Sequence, residues 1–164
     1  MYKAYVRPKA EHNTQVWSPY LKKDIKRIEQ IQKRFTRTAC MRCQIPFSSY
    51  EDRLFKLNLL SLEHRRIYHD LVYLFKIINH LTDIKFENYF RYELNDYNLR
   101  DSSLKLRPLS SSKNSSNKWL NTFFLRACDY WNKLPYNLKC IKCVNIFKMK
   151  VKKVDFDKLS LKLK

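Results

Sequence analysis

SYEDRLFKLNLLSLEHRRIYHDLVYLFKIINHL, residues 49–81, is the stretch on which the fold turns. Ser49 can cap a short helix with Glu51 and Asp52 in its first turn. Ser61 can cap a long one that carries Glu63 near its start, where the positive helix end favours an acid. Asn58 falls between the two, at a point that wants a left-handed residue, and asparagine is the usual substitute there when glycine is absent. Along the long helix Ile67, Leu71, Leu74, Phe75, Ile78 and Leu81 recur at helical spacing. The run LVYLF predicts near-complete burial of its middle, making this helix the spine of the core. Lys76 breaks the apolar run well short of the roughly eighteen residues a membrane span needs, so no span is expected.

Upstream, residues from Ser18 to about Cys40 read as a helix, with Ser18 as cap, Pro19 in the first turn and Asp24 near the positive end. At 100° per residue, Ile25, Ile28, Ile31, Phe35 and Ala39 fall within about 120° and predict a core-facing stripe. Lys22, Lys23, Lys26, Arg27, Lys33, Arg34 and Arg37 fall within about 140° on nearly the opposite side. Only Asp24 and Glu29 dilute that face, both off its centre, so salt-bridge lacing does not account for the charge. The face is expected to meet a phosphate backbone. The 164 residues carry 34 Lys and Arg against 15 Asp and Glu, a net charge of +19, which points to a polyanion. With 45% hydrophobic content the chain should still fold.

Downstream, the helical period lapses over residues 83–108, where SLKLRP suggests a short strand ahead of Pro108. SSSKNSSNK (110–118) is a low-complexity connection. Helical text returns at Trp119, with Phe123, Ala127, Trp131 and Leu134 on one side, and Pro135 stops it. A last basic helix near Val144–Val154 can bury Phe147 and Val151. The expected fold is all-α, an irregular multi-helix domain with a short strand or hairpin near 102–108. It divides into a basic helical segment 1–83, an irregular Ser-rich connection 84–118 and C-terminal helices with a Lys-rich tail 119–164.

The sequence contains no glycine, which rules out a P-loop and a dinucleotide-binding fingerprint, since both need glycine where backbone approaches phosphate. Two Cys-x-x-Cys pairs, Cys40 with Cys43 and Cys140 with Cys143, have the local spacing of zinc ligands. The 96 residues between them far exceed the usual ribbon separation of about 15–20, so the thiols read as small apolar residues near helix ends and no metal site is expected. HRRIYHD (64–70) holds an adjacent His69–Asp70 pair without the further His and Asp that a phosphohydrolase centre needs. No paired carboxylates suit two-metal phosphoryl chemistry, and Cys128 has no recognisable base. No catalytic residues, cofactor or small-molecule substrate are expected.

YKAYVRPKAEHNTQVWSPYLKKDIKRIEQIQKRFTR (2–37), then residues 49–78, RDSSLKLRP (100–108), WNKLP (131–135) and FKMKVKK (147–153) run in one order. Together they resemble the region after the polymerase palm in reverse transcriptases of jockey-like non-LTR retrotransposons. The resemblance covers nearly the whole chain. It implies a thumb-like helical segment and a downstream nucleic-acid-binding segment, with the Pro8–Trp17 stretch docking Trp17 and the following helix facing template and primer. It also implies a truncated copy, since the family's catalytic aspartates belong to the palm. Ala10 and His12 stand where a Leu and a Tyr are expected, and Asn58 and Asp101 where the family often has Gly. The expected function is therefore non-catalytic binding of RNA or DNA, in an intracellular setting, nuclear or cytoplasmic. The alternative is a small helical interaction module, zinc-stapled or not, that meets an acidic protein or membrane surface.

Overall fold

The computed structural model describes residues 2–93, 104–109 and 122–156. A π-helical turn, Tyr2–Val6, runs into α1 (Arg7–Glu11), followed by α2 (Thr14–Trp17), α3 (Lys22–Arg42), α4 (Tyr50–Lys56) and α5 (Leu62–Ile78). Strands β1 (Phe90–Tyr92) and β2 (Leu106–Pro108) come next, then α6 (Phe123–Asn132), α7 (Tyr136–Lys139) and α8 (Val144–Val151). The fold is mostly all-α, with a single two-stranded antiparallel sheet among the described residues. The chain divides into two compact units, Met1–Arg66 and Ile67–Lys164, and the division falls inside α5.

In the first unit, α3 starts at Lys22 rather than at Ser18. Pro19 disfavours helical geometry for the residue before it, so Ser18 turns extended and closes α2 instead, its N–H donating to Thr14 O at 3.0 Å. The expected cap at Ser49 is present, its Oγ accepting the Asp52 N–H at 3.1 Å. Ser61 Oγ likewise accepts the His64 N–H at 3.1 Å. Asn58 takes the left-handed conformation, with φ 48°.

Gln44 (φ 52°) and His80 (φ 54°) do the same after α3 and α5. At all three ends the left-handed residue and its successor bond back to the last turn: Gln44 to Met41 and Ile45 to Cys40, Asn58 to Phe55 and Leu59 to Leu54, His80 to Ile77 and Leu81 to Lys76. This is the helix-ending motif that usually employs glycine, built three times without it.

The face that α3 buries is a correction to the sequence reading. Ile31 is 45% exposed and Phe35 36%. The buried line is Glu29, Gln32, Thr36 and Cys40, turned by about 80° from the apolar stripe on a helical projection. A hydropathy pattern assumes that polar groups prefer water, but a buried polar group is tolerated when it is hydrogen-bonded, and these are. Gln32 Oε1 accepts from the Tyr2 hydroxyl (2.7 Å), and its Nε2 donates to Leu60 O (2.9 Å) and to the Tyr50 hydroxyl (3.1 Å). Tyr50 in turn donates to Glu29, whose two carboxylate oxygens accept the Leu62 N–H at 3.0 and 3.2 Å. Glu29 thus caps the positive end of α5. Phe35 finds its own cover in Tyr2, the rings stacked with centroids 4.2 Å apart.

In the second unit the middle of α5 is buried as expected, with Leu71, Leu74, Phe75 and Ile77 fully enclosed. Leu81, expected on that face, lies past the helix end and is 54% exposed. Phe75 stacks on Phe147 of α8 at 4.2 Å, Tyr73 meets Phe123 of α6 edge-on at 5.5 Å, and Trp131 lies 6.1 Å from Phe147. Helix α8 buries the two expected residues, Phe147 and Val151. The strand expected before Pro108 is β2. Its partner β1 pairs Phe90 with Pro108, Arg91 with Arg107 and Tyr92 with Leu106. Residues 102–103, the Ser-rich stretch 110–118, Trp119 and the tail beyond Phe156 lie outside the described residues.

Candidate nucleic-acid interface

Of the seven cations read from the sequence, Lys22, Lys23, Lys26, Arg27, Arg34 and Arg37 are exposed along α3. Lys33 is half-buried, its Nζ 5.0 Å from the centre of the Tyr50 ring, so it packs against α4 while the other six face solvent. None of the seven has a carboxylate at salt-bridge distance among the described residues.

Four acids of the first unit make their hydrogen bonds elsewhere. Glu29 is turned inward onto the α5 end. Asp52 bonds Lys56 Nζ at 2.9 Å and the Ser48 N–H at 3.1 Å, and these bonds hold its carboxyl below the usual range. Glu51 is held low by its own backbone N–H and by Ser49. Glu11 is bound by Arg65, whose Nη2 donates to it at 2.7 Å, and lies 3.6 Å from Arg7. Helix α3 therefore has one side fixed by buried hydrogen bonds and another with unmatched positive charge. Long, flexible ammonium and guanidinium groups in that state can follow a phosphate backbone without reading bases.

Trp17 does not dock into a core. It is 41% exposed, and its indole N–H donates locally to His12 O.

The other sequence candidates are placed as follows. Asp70 is enclosed, and its Oδ2 accepts from Arg126 Nε at 2.7 Å, a buried ion pair joining α5 to α6. Cys40 and Cys128 are buried, while Cys43, Cys140 and Cys143 are exposed. Burial pushes the Cys128 thiol up to about 12, which keeps it protonated at neutral pH. Cys143 precedes α8, where the N–H groups of Ile146 and then Asn145 draw its thiol downward. Among the described residues no three His, Cys, Asp or Glu side chains are grouped to hold a metal ion, and no helix is long and apolar enough to cross a membrane. Sequence reasoning missed Tyr50, which orders both Gln32 and Lys33. Nothing in its local pattern marks it.

No protein-family model matches the chain. It is similar to an uncharacterized protein of Caenorhabditis elegans, 36% identical over 67 residues, which is 41% of this chain and 34% of that protein. The match thus spans about a third of the relative's length. No solved structure matches.

Proposed function

We propose that this chain is a nucleic-acid-binding segment that meets the phosphate backbone of RNA or DNA through α3, without chemistry of its own. We infer further that it corresponds to the region after the palm of a non-LTR retrotransposon reverse transcriptase, working inside the cell. The observation that carries the binding reading is the set of six exposed cations on one face of α3, none with a carboxylate partner among the described residues. A solvated surface of this size ordinarily mixes signs, because like charges in a row repel. The ordered motifs of residues 2–37, 49–78, 100–108, 131–135 and 147–153 support the family reading.

The test is binding of labelled RNA and DNA across a range of salt, comparing the chain with a variant carrying Lys26, Arg27, Arg34 and Arg37→Gln. Both ligands should bind more weakly to the variant, and the salt slope should fall by roughly 0.7–0.9 for each phosphate that is no longer neutralised. A slope that does not move would reduce the face to solvated surface. Primer extension with magnesium or manganese should match a protein-free control.

A further inference from the structure

The hairpin of the second unit pairs like with like. Arg91 of β1 stands directly opposite Arg107 of β2, and both are exposed. The flanking bonds, Leu109 N–H to Tyr89 O at 2.9 Å and Glu93 N–H to Lys105 O at 2.8 Å, fix that register. The two side chains therefore leave the same face of the ribbon with Cβ atoms about 5 Å apart. Like charges directly opposite destabilise a ribbon. Glu93 reaches Arg107 at 2.6 Å, which relieves one guanidinium. Arg91 has no carboxylate partner among the described residues. Protection of a sheet edge from aggregation does not require this arrangement, since a lone charge or an opposite-sign pair would serve as well.

The ribbon is nevertheless clamped. The Asn132 side chain takes both backbone groups of Leu106, accepting its N–H and donating to its carbonyl at 2.9 Å each, so α6 stands in for a third strand. The Trp131 indole donates to Leu104 O at 3.0 Å. Beneath, Phe90 lies 5.7 Å from Phe86 and 5.6 Å from Phe124, while Tyr89 stacks on Phe124 at 4.6 Å. Two-stranded ribbons are marginal alone. The contacts to α6 and the aromatic residues hold the backbone register of this one, which is the support that a binding constellation needs.

We propose that Arg91 and Arg107 form a two-guanidinium fork for a phosphodiester of a nucleic-acid backbone. Planar guanidinium donors match phosphate oxygens in pairs; a phosphate bridging the two arginines shares Arg107 with Glu93 and gives Arg91 the anion it lacks. The fork shares the phosphate chemistry of the α3 reading but none of its residues.

The experiment uses the full chain, with Arg91→Gln and Arg107→Gln made singly in the unmodified chain and in the α3-neutralised variant. A fluorescent single-stranded oligonucleotide is titrated across a range of salt, and each unliganded protein is melted in chloride and in inorganic phosphate at matched ionic strength. Either substitution opens the fork and should lower the salt slope by up to about 0.7, the share of one phosphate on a single strand. Arg91→Gln should also raise the melting temperature of the unliganded protein in chloride, because it lifts the repulsion. A higher melting temperature with an unchanged slope would overturn the fork and leave only surface repulsion. Stabilisation by inorganic phosphate that Arg91→Gln abolishes, with oligonucleotide binding unaltered, would overturn the nucleic-acid assignment in favour of a small phosphate. A slope that falls with Arg91→Gln but not with α3 neutralisation keeps the fork and removes the α3 reading. An unmodified chain that binds no oligonucleotide removes both.

Discussion

Tyr2 and Tyr50 sit in the first unit with their phenols turned inward, and burial together with the nearby Glu29 carboxylate raises both pKa values, that of Tyr2 to about 12. A phenol whose folded pKa is raised contributes fully below its unfolded value near 10, and the contribution is lost as the pH climbs toward the folded value. Stability should therefore be insensitive to these groups from neutral pH to about 10. Above that it should fall by about 1.4 kcal/mol per pH unit for each tyrosine held neutral, as read by urea melts followed through tyrosinate absorbance. Tyr50→Phe should soften that decline. It should also cost about 1–3 kcal/mol at neutral pH, because Glu29 and Gln32 are each deprived of a partner in a buried place. None of this was visible at the level of single residues. Glu29 reads as a stray acid on a cationic helix, and its inward turn depends on Tyr50, 21 residues away, and on the backbone N–H of Leu62, which has no signature in sequence.

The helices themselves were legible where packing follows period. Helix α5, its cap at Ser61, the short helix after Ser49, the turn at Asn58 and the burial of Phe147 and Val151 all follow from spacing and capping rules. Helix α3 was found, but the side it buries was not, because its interior is satisfied by hydrogen bonds rather than by apolar area. The ends at Gln44 and His80 were also silent: glutamine is no marker of a positive φ, and histidine, though enriched there, is far more often found elsewhere. Those two positions carry a steric cost that glycine avoids. Gln44→Gly and His80→Gly should each stabilise the chain by about 1 kcal/mol in equilibrium denaturation. Asn58→Gly should gain less, because asparagine tolerates that conformation better. A loss of stability at either of the first two would mean that the side chain's own packing outweighs the backbone strain.

Across the whole molecule, 34 basic residues against 15 acidic ones work against compaction through mutual repulsion. The melting temperature should accordingly rise with sodium chloride over the range where the screening length shrinks from about 30 to 10 Å, and polyphosphate should act at far lower concentration than chloride. A melting temperature indifferent to salt would show that the repulsion is already relieved within the fold. The charge was plain from composition; the register that sets Arg91 against Arg107 was not, because the segment before Pro108 gives no sign of which residues it will face. The Glu29 cap on Leu62 also bears on the order in which structure forms. That bond joins residues 33 apart, so the chain must first close a loop, with its entropy cost, before the opening turn of α5 gains its acceptor. The apolar middle of the helix can form earlier by local winding and collapse. The first turn of α5, held locally by Ser61, is therefore expected to gain its Glu29 bond only after the centre of the helix has formed.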